Sequence, residues 1–442
     1  MLALHCVPSI VMGQLHPREN PNVVIILSDD QGYGDLSIHG NMDINTPVLD
    51  QFARESARFD RFYVSPLCAP TRASLLTGRY HLRTGTVSVS KGLEIMQSSE
   101  VTLGEVFRDN GYKTGLFGKW HNGQHMPNHP LGQGFDEFFG FCAGHWSNYF
   151  DTELEHNGKK VQTKGYITDI LTDKAIEFID ANKEKPFLCY VPYNAPHSPH
   201  QVPDAYFNKY KAKGLDDELA SIYGMVENMD MNVGRLLKKL EDTGLADETI
   251  VLFLTDNGPN GVRFNGGMKG IKGSVDEGGV RVPCFWRWKG RITPGNIPVP
   301  GAHIDILPTL VELCNLKKVH TKPLDGVSLA RSLSGDNQQL NRKLFTHVAF
   351  LQLPVVPYPG AVRNYPYTLI VGNPFPNLYD IRQDSAQQRD IASEKPDVTR
   401  QLLEDYHRWF AEVAKEIQPV PVIPLSPLLD KIELPTYEAT FS

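Results

Sequence analysis

Short runs of strongly apolar, β-branched and aromatic residues recur along the first half of the chain and a little beyond. They occupy residues 23–27, 113–117, 187–191 and 249–254, and each is flanked by polar, turn-forming residues. Continuous apolar runs of this length are typical of strands that are buried on both faces, as in a mainly parallel sheet covered by helices. The four runs therefore predict the core strands of such a sheet.

Segments with helical periodicity lie between and beside these runs. They cover 102–110, 168–182 and 218–243, and Gly111 and Gly244 follow two of them as C-terminal caps. Because strands and helices alternate, the pattern predicts the α/β class. We expect a large, mainly parallel central sheet that is sandwiched by helices.

The pattern changes after about residue 340. Short strands at 345–350, 360–363, 367–371 and 378–381 follow one another without intervening helices, and one amphipathic helix covers 398–416. This arrangement predicts a smaller C-terminal antiparallel sheet plus one helix.

The same changes in pattern divide the chain into three parts. A main α/β domain covers 21–339, and an α+β subdomain covers 340–442, with a proline-rich tail from 418 that is expected to wrap the surface. Residues 1–20 precede the first strand. The apolar segment 1–13 is interpreted as a signal peptide with a trimmed start or as a disordered tail, because it lacks a charged n-region.

The charge balance argues against two classes of protein. The net charge is −7 at pH 7, whereas a nucleic-acid-binding domain carries an excess of basic residues. A membrane-spanning helix needs roughly 18 consecutive apolar residues, and no run in the sequence approaches that length. We therefore expect neither a nucleic-acid partner nor a membrane span.

The cysteines are spread over the chain, and one differs from the others. The six cysteines include no CxxC pair, so the pattern predicts neither a disulfide framework nor a zinc knuckle. Cys142, Cys189, Cys284 and Cys314 lie in apolar surroundings and are predicted to be buried thiols. Cys68 instead lies in a turn that contains proline and arginine.

Acidic and amide residues follow two of the predicted strands. Asp29 and Asp30 come after the first, and Asp256 and Asn257 come after the fourth. The carboxyl ends of strands in an open α/β sheet form a ligand crevice, where three carboxylates need a cation to offset their repulsion. Oxygen ligands favour Ca²⁺ or Mg²⁺ over zinc. The alternative interpretation is that these residues form turns and cap helices.

Basic residues and histidines follow the other two strands. Lys119 and His121 come after the second strand, and His197 follows the third. A lysine at this edge of the sheet would bind an anion, and a histidine could protonate a leaving oxygen. Taken singly, each histidine is more typical of a hydrogen-bonded structural residue than of a catalytic one.

Residues 68–79 carry the most specific pattern in the sequence. Pro70 is placed to open a helix, so Cys68 is predicted at a helix N-terminus, where backbone N–H groups favour an anion. This twelve-residue segment resembles the signature of the sulfatase family, in which the cysteine of C-x-P-x-R is oxidised to formylglycine. A buried cysteine before an ordinary helix would leave Pro70 and Arg72 unexplained.

The resemblance extends from residue 21 to about residue 410 and implies an alkaline-phosphatase-like fold. In the segment 269–283, the family's catalytic lysine corresponds to Lys272, because of its spacing to the Glu-Gly-Gly at 277–279. The implied metal ligands are Asp29, Asp30, Cys68, Asp256 and Asn257. The implied catalytic residues are Cys68, Arg72, Lys119, His121, His197 and Lys272.

The resemblance implies hydrolysis of a sulfate ester by a formylglycine formed from Cys68, acting as a geminal diol beside a bound Ca²⁺, with Mg²⁺ as the less favoured ion. Arg72 would stabilise the diol, Lys119 and Lys272 would bind the sulfate, and His121 would act as a base. The leaving alcohol would be protonated by His197, acting with Lys272. The partner implied is a formylglycine-generating maturase that acts on the Cys68 segment.

The substrate is expected to be a sulfated carbohydrate. Trp146, His200 and Arg263 lie between or beside the motif segments and are predicted to line its subsite, with ordinary loop packing as the alternative. No Asn-x-Ser/Thr sequon occurs, which favours bacterial export to the periplasm or medium. The rival functions are a phosphodiesterase or phosphonate monoesterase on the same scaffold, and a non-catalytic binder of sulfated glycans.

Overall fold

The computed structural model describes residues 20–336, 338, 340–351, 353–372 and 374–417. The signal peptide or tail predicted at the N-terminus and the proline-rich tail from 418 lie outside these residues. The helices in the described part of the chain are α1 Pro47–Arg54, α2 Cys68–Thr77, α3 Leu103–Asp109, α4 Ile167–Ala181, α5 Asp204–Lys211, α6 Asp217–Asp242, α7 Glu277–Val280, α8 Ile306–Leu313, α9 Ala330–Leu333 and α10 Pro396–Val413.

The strands, over the same residues, are β1 Asn22–Ser28, β2 Ala57–Phe59, β3 Phe62–Tyr63, β4 Lys113–Lys119, β5 Glu137–Phe141, β6 Glu153–His156, β7 Lys159–Gln162, β8 Phe187–Pro192, β9 Thr249–Thr255, β10 Arg281–Val282, β11 Cys284–Arg287, β12 Gly295–Ile297, β13 Gly301–Ala302, β14 Leu344–His347, β15 Gly360–Asn364, β16 Tyr367–Val371 and β17 Asn377–Asp380.

The central sheet has the order β12-β2-β11-β9-β1-β8-β4-β5-β6-β7. Its five middle strands, β9 to β5 in this order, are parallel, and they include the four strands that the apolar runs predict. On one side of these five, β11 is antiparallel to β9, and β2 and β12 lie beyond it; on the other side, β6 and β7 are added as antiparallel strands. The predicted α/β class, with a large and mainly parallel sheet, is therefore confirmed.

Helices cover both faces of this sheet, and the alternation of β1 shows how. Val24 and Ile26 point into one core with side chains from α4 and α6. Val23, Ile25 and Leu27 point into the other core with side chains from α2, α3 and α8. Successive side chains of a strand point to opposite faces, so a strand between two helical layers is apolar at every position.

The C-terminal part forms an antiparallel sheet with the order β14-β15-β16-β17, and α10 packs on it. The prediction of a small antiparallel sheet plus one helix is therefore confirmed. The first strand is shorter than the predicted 345–350: it ends at His347, which pairs with Gly360. Its neighbour β15 begins at that glycine, so the chain leaves the sheet after His347 and forms a loop.

Ion pairs fix this subdomain to the main domain. Arg363 on β15 binds Glu277 at 3.0 Å, and both side chains are buried. Arg79, just after α2, binds Glu416 at 2.5 Å, and Arg83 binds the same carboxylate at 2.5 Å. The subdomain therefore holds two segments that flank the chemistry described below. In the described residues, no helix is long and apolar enough to cross a membrane.

Candidate active site

The side chains of the candidate site meet at the carboxyl ends of the parallel strands. Asp29 follows β1, Asp256 follows β9 and Lys119 ends β4. β1 is the neighbour of β9 and is separated from β4 by one strand, so residues that are far apart in sequence lie together in space. α2 begins at Cys68 beside them, and all ten of its residues are buried.

A buried network of ion pairs joins the first carboxylates to the cations. Lys119 Nζ lies 2.6 Å from Asp29 Oδ2. Arg72 Nη2 lies 2.8 Å from Asp256 Oδ2 and 3.6 Å from Asp29 Oδ2. Arg72 also donates from Nη1 to the Lys119 carbonyl oxygen at 2.9 Å. Arg72 on α2 therefore ties the ends of three strands together.

Asp30 is the centre of a second group of contacts. Lys272 Nζ lies 2.7 Å from its Oδ1, and Asn257 Nδ2 donates to the same oxygen at 2.8 Å. Its backbone N–H donates to Asp256 Oδ1 at 3.2 Å. The structure thus brings Asp29, Asp30, Asp256 and Asn257 to one place, as the strand ends predict, and adds Lys272 from a distant loop.

The donor set fits a hard divalent cation. Asp29 Oδ1 and Asn257 Oδ1 are buried, and neither has a hydrogen-bond partner among the described residues. Ligand atoms of Asp29, Cys68 and Asp256 lie within 4.8 Å of one another, and those of Asp29, Asp30 and His197 do so as well. Ligands of one Ca²⁺ lie at 2.3–2.6 Å from the ion, so they are at most about 5 Å apart. Buried oxygens normally have a partner, and a cation would supply one here.

The pKa values of the buried carboxylates also favour a bound cation. Burial raises the pKa of Asp256 to about 7, and so does the charge of Asp29, although Arg72 opposes both effects. Burial also disfavours ionisation of Asp29, but Lys119, His197 and Arg72 outweigh it and lower its pKa. A divalent cation among these side chains would keep all the carboxylates ionised.

Residue 68 is a cysteine in the sequence, and its Sγ occupies the position that the resemblance assigns to a formylglycine. The side chain is 2% exposed. Burial raises the pKa of the thiol, as do Asp29 and Asp256, whereas Lys119 and Lys272 act in the opposite direction. The cysteine at this position is therefore a protonated thiol at neutral pH.

His121 is oriented so that one ring nitrogen is left as an acceptor. Its Nε2 lies 2.9 Å from the Val89 carbonyl oxygen, so Nε2 carries the hydrogen and donates it. Its Nδ1 is buried and has no hydrogen-bond partner among the described residues. Burial lowers the pKa of His121 well below the usual range, and Lys119 adds to the effect. His121 therefore presents a neutral ring with an unshared lone pair.

Gly144 makes room for this histidine. A Cβ built on Gly144 would lie 2.1 Å from His121 Nε2, closer than any real contact. Residue 144 must therefore be glycine for the imidazole to reach Val89. The sequence gives no local signal for this requirement, because residues 121 and 144 lie on the loops after two different strands, β4 and β5.

His197 lies against Asp30. Its Nδ1 lies 2.6 Å from the Ser198 carbonyl oxygen and donates to it, and its Nε2 lies 3.7 Å from Asp30 Oδ2. Burial lowers the pKa of His197 and outweighs the Asp30 and Asp29 carboxylates, which act in the opposite direction. Lys272 also carries a proton beside Asp30, because that carboxylate outweighs burial and raises the lysine pKa.

The three residues that were predicted to line a substrate site have different surroundings. Trp146 is partly buried, its ring stacks on Phe141 at 5.0 Å, and its Nε1 donates to Thr152. His200 Nδ1 lies 3.7 Å from Glu218. Both lie on loops near the site, and their role in substrate binding stays a prediction.

Arg263 is turned towards the interior. Its side chain is 4% exposed and lies 2.6 Å from Asp35 Oδ2. It also donates to the Asp30 carbonyl oxygen at 2.8 Å and to the Asn260 carbonyl oxygen at 2.7 Å. Every guanidinium nitrogen is thus engaged within the protein, and the contacts that Arg263 makes here position the Asp30 segment.

His145 is a further residue at the site. Its ring lies 5.8 Å from that of His197, centroid to centroid, in an edge-on arrangement. Burial and the charge of Lys119 lower its pKa, which also places it within electrostatic range of the site. Sequence reasoning singled out its neighbour Trp146 instead, because an exposed histidine has no distinguishing pattern.

Comparison with known proteins decides the family. The family model described as Sulfatase matches residues 21–316, more than half of the chain. The chain belongs to the sulfatase family. It is 31% identical to N-acetylgalactosamine-6-sulfatase of Mus musculus, over 78% of this chain and 71% of that protein. Against arylsulfatase A of Homo sapiens the identity is 31%, over 75% and 71% of the two chains.

A solved crystal structure is also similar to this sulfatase over most of the chain. The crystal structure of Ps i-CgsB in complex with k-i-k-neocarrahexaose superposes with a TM-score of 0.83 at 29% identity, over 90% of this chain and 94% of that one. Sulfatases are sulfuric ester hydrolases, and this sulfatase is an enzyme of that class.

Proposed function

We propose that this sulfatase removes sulfate from a sulfated oligosaccharide, with a formylglycine formed from Cys68 and a bound Ca²⁺. The observation that carries the proposal is the meeting of Cys68 Sγ with carboxylate oxygens of Asp29 and Asp256, within 4.8 Å of one another, at the start of a buried helix. A thiol ligand and hard oxygen ligands are a poor match for Ca²⁺, whereas an oxygen at position 68 would suit it.

Asp29, Asp30, Asp256, Asn257 and residue 68 would hold the cation. The hydrated aldehyde would supply a hydroxyl as the nucleophile for sulfur, and a bound divalent cation would lower the pKa of that hydroxyl. Arg72, four residues further along the same helix, supplies positive charge next to Asp256 and residue 68. Magnesium is the less favoured ion, because it demands a stricter octahedral arrangement.

The other side chains bind charge or move protons. Lys119 and Lys272 would offset the charge that develops on the sulfate oxygens. His121, with its acceptor Nδ1, would accept a proton from the second hydroxyl of residue 68, so that the bond to sulfate breaks and the aldehyde is restored. His197 would give a proton from Nε2 to the leaving alcohol. The Asp30 carboxylate 3.7 Å away favours the protonated ring, although burial lowers the pKa of His197 overall. Lys272, which is already protonated, is the alternative donor.

The substrate class is inferred from the relatives. One is named for N-acetylgalactosamine 6-sulfate chemistry, and one was solved with a neocarrahexaose bound. Sulfated polysaccharides lie outside bacterial cells, so we also propose that the enzyme is exported. A maturase would have to act on the Cys68 segment before the enzyme is active.

The test is sulfate release by purified, matured enzyme in the presence of Ca²⁺. The panel consists of 4-nitrophenyl sulfate, N-acetylgalactosamine 6-sulfate, k-i-k-neocarrahexaose and sulfated glycosaminoglycan tetrasaccharides, with 4-nitrophenyl phosphate and a phosphonate monoester for comparison. We expect sulfate esters to be hydrolysed with the higher kcat/KM and a sulfated saccharide to be the best substrate. Faster hydrolysis of the phosphorus esters would favour the phosphonate monoesterase alternative and contradict the proposal.

Replacement of residue 68 separates catalysis from binding. Cys68→Ala should reduce kcat on 4-nitrophenyl sulfate by about 10⁴-fold or more, because a nucleophile is removed. Cys314→Ala, which changes a buried thiol at the end of α8, is the matched control and should keep most of the activity. A Cys68→Ala enzyme with substantial turnover would rule out the proposed nucleophile.

A further inference from the structure

The loop between β14 and β15 concentrates exposed apolar side chains. Phe350, Leu351, Leu353 and Tyr358 are 56%, 41%, 53% and 38% exposed. They are four of the eleven large hydrophobic residues that are exposed in the described part of the chain, and they lie within nine positions. Concentrated apolar surface of this kind marks a binding site more often than single exposed residues do.

One end of this loop lies against the catalytic lysine segment. A Cβ built on Gly273, the residue after Lys272, would lie 2.9 Å from Cζ of Phe350. The ring is therefore in van der Waals contact with the backbone beside Lys272. The Gly273 N–H donates to the carbonyl oxygen of Pro66, two residues before Cys68, at 2.9 Å.

The same loop also reaches the segment that orients His121. The backbone N–H of Leu351 donates to Ser88 Oγ at 3.3 Å. The next residue, Val89, accepts the hydrogen bond from His121 Nε2 at 2.9 Å. The loop of the C-terminal subdomain thus bridges two segments of the main domain that carry active-site residues, and it forms part of the rim of the site.

We propose that Phe350 forms an aromatic platform on which a sugar ring of the substrate stacks while the sulfate group is at residue 68. This inference rests on the proposed function and specifies which residue recognises the saccharide. A sugar is the occupant that fits, because the platform adjoins the site where the sulfate must enter and Phe350 is 56% exposed to solvent. A pyranose presents C–H groups on one face, which pack on an aromatic ring, while its hydroxyl groups stay in water.

The proposed platform contacts the saccharide and not the reacting sulfate group. Its effect on binding can therefore be measured separately from its effect on the chemical step. An aryl sulfate has a single ring and no further sugar units, whereas an oligosaccharide offers additional pyranose rings that can pack on the platform. Loss of the aromatic ring should therefore change the ratio of kcat/KM for the saccharide to kcat/KM for 4-nitrophenyl sulfate.

The experiment compares three substitutions at one position. The saccharide probe is the oligosaccharide of the panel above that the wild-type enzyme hydrolyses fastest, and 4-nitrophenyl sulfate is the small probe. Phe350→Ala and Phe350→Leu should lower the ratio about tenfold, mainly through KM for the saccharide, since a stacking contact acts in binding. Phe350→Trp should keep the ratio near the wild-type value, because it retains an aromatic face.

Tyr365→Ala is the matched control. Tyr365 is a partly exposed aromatic residue in the turn between β15 and β16, at the opposite end of the same sheet, where it stacks under Arg61 at 4.1 Å. Its removal should leave the ratio unchanged. Thermal unfolding of each variant verifies that the subdomain is intact.

Two results would overturn the inference while leaving the sulfatase activity standing. One is a Phe350→Ala enzyme with the wild-type ratio. The other is a wild-type enzyme that hydrolyses 4-nitrophenyl sulfate but none of the oligosaccharides, since a platform for sugars would then have no purpose. Failure of the proposed function is a separate outcome, in which no sulfate ester of the panel is hydrolysed.

Discussion

At the scale of single residues, the site depends on atoms whose partners lie outside the protein chain. Asp29 Oδ1, Asn257 Oδ1 and His121 Nδ1 are buried acceptors without a hydrogen-bond partner among the described residues. A buried polar atom without a partner costs roughly 1–3 kcal/mol, so a fold retains such atoms where a ligand satisfies them. The two oxygens are suitable ligands for a cation, and the His121 nitrogen can accept a proton.

Asn257 gives the most direct test of the cation. Asn257→Ala removes the unpartnered oxygen and the hydrogen bond to Asp30, so Ca²⁺ affinity should fall by more than the 10–100-fold that is typical when only an outer partner of a ligand is lost. The measurement is the rise in Tm on adding Ca²⁺ to protein that has been stripped with EDTA, which depends on the dissociation constant.

The exposed Asn260, three residues further along the chain, provides the control variant Asn260→Ala. This variant should respond to Ca²⁺ like the wild type. An unaltered Ca²⁺ response in Asn257→Ala would remove this residue from the metal site.

His121 tests the proton acceptor. His121→Gln keeps a donor for the Val89 carbonyl oxygen but removes the basic nitrogen, so kcat should fall by about 10²–10⁴-fold with a smaller change in KM. Steady-state kinetics on 4-nitrophenyl sulfate measure this. A variant with nearly normal kcat would show that His121 positions the Val89 segment and does not move a proton.

Much of the site could be predicted from individual positions, and the reasons are local. Asp29, Asp256 and Lys119 are predictable because each comes at the end of an apolar run, and parallel strands end at one edge of a sheet. Gly144 and Phe350 were not predictable, because each acts on a residue more than twenty positions away and neither belongs to a recognisable pattern. Arg263 was expected at a sugar subsite, and the structure places its guanidinium against Asp35 and Asp30.

At the scale of elements, α2 is the unusual part of the fold. The sequence of α2 does not show an apolar face and a polar face, because every residue from Cys68 to Thr77 is buried, including Arg72. It lies between the sheet and α8, and its C-terminal end is followed by Arg79, which binds Glu100 and Glu416. The helix is therefore held from several directions and cannot be reached by a second protein in the folded state.

This burial predicts when the maturase can act. The proposed maturase would need Cys68 and its neighbours in its own active site, which the packing of α2 prevents. In folded enzyme that was produced without maturase, Cys68 should stay a cysteine when maturase is added. In the same chain, unfolded in urea and diluted directly into the maturase reaction, Cys68 should be converted to formylglycine.

The readout is the mass of the peptide that contains residue 68, before and after treatment. Conversion of the folded protein at the rate of the unfolded chain would contradict the expectation. It would mean that α2 opens easily in the native state.

At the scale of the whole molecule, three buried histidines lie where the C-terminal sheet meets the main domain. The His81 and His347 rings stack at 6.1 Å, and His303 Nε2 lies 3.0 Å from Ser65 Oγ. Burial lowers the pKa of His81 to about 4, that of His347 to about 3 and that of His303 to about 3. All three are therefore neutral in the folded protein at neutral pH.

The sign of the resulting pH dependence follows from these pKa values. The unfolded chain takes up protons on these histidines below about pH 6.5, whereas the folded protein does so only near pH 3–4. Stability is therefore full above pH 6.5 and falls as the pH drops towards 4, by at most about 1.4 kcal/mol per pH unit for each histidine.

His347→Gln tests this dependence, because glutamine can still donate to the Val356 carbonyl oxygen but cannot titrate. Its Tm should fall less between pH 7 and pH 5 than the wild-type Tm does. His407→Gln, an exposed change on α10, should behave like the wild type. Equal pH slopes in all three proteins would exclude His347 as a source of acid sensitivity.

The main sheet could be predicted from the sequence, whereas the position of the C-terminal sheet against it could not. The alternating runs predicted the main sheet, because strands buried on both faces are apolar throughout. The docking of the C-terminal sheet through Arg363 and Glu277 was not predictable, since no local pattern links these two positions. That docking is what brings the loop with Phe350 to the rim of the site.

The proposed function requires a formylglycine at residue 68 of the active enzyme, and the mass of one tryptic peptide shows whether it is there. Trypsin cleaves after Arg61 and Arg72 and releases the peptide 62–72 from protein that hydrolyses 4-nitrophenyl sulfate. We expect this peptide about 18 Da below the mass of the cysteine form, in proportion to the specific activity of each preparation. Fully active enzyme in which the peptide retains only the unmodified thiol would contradict the account.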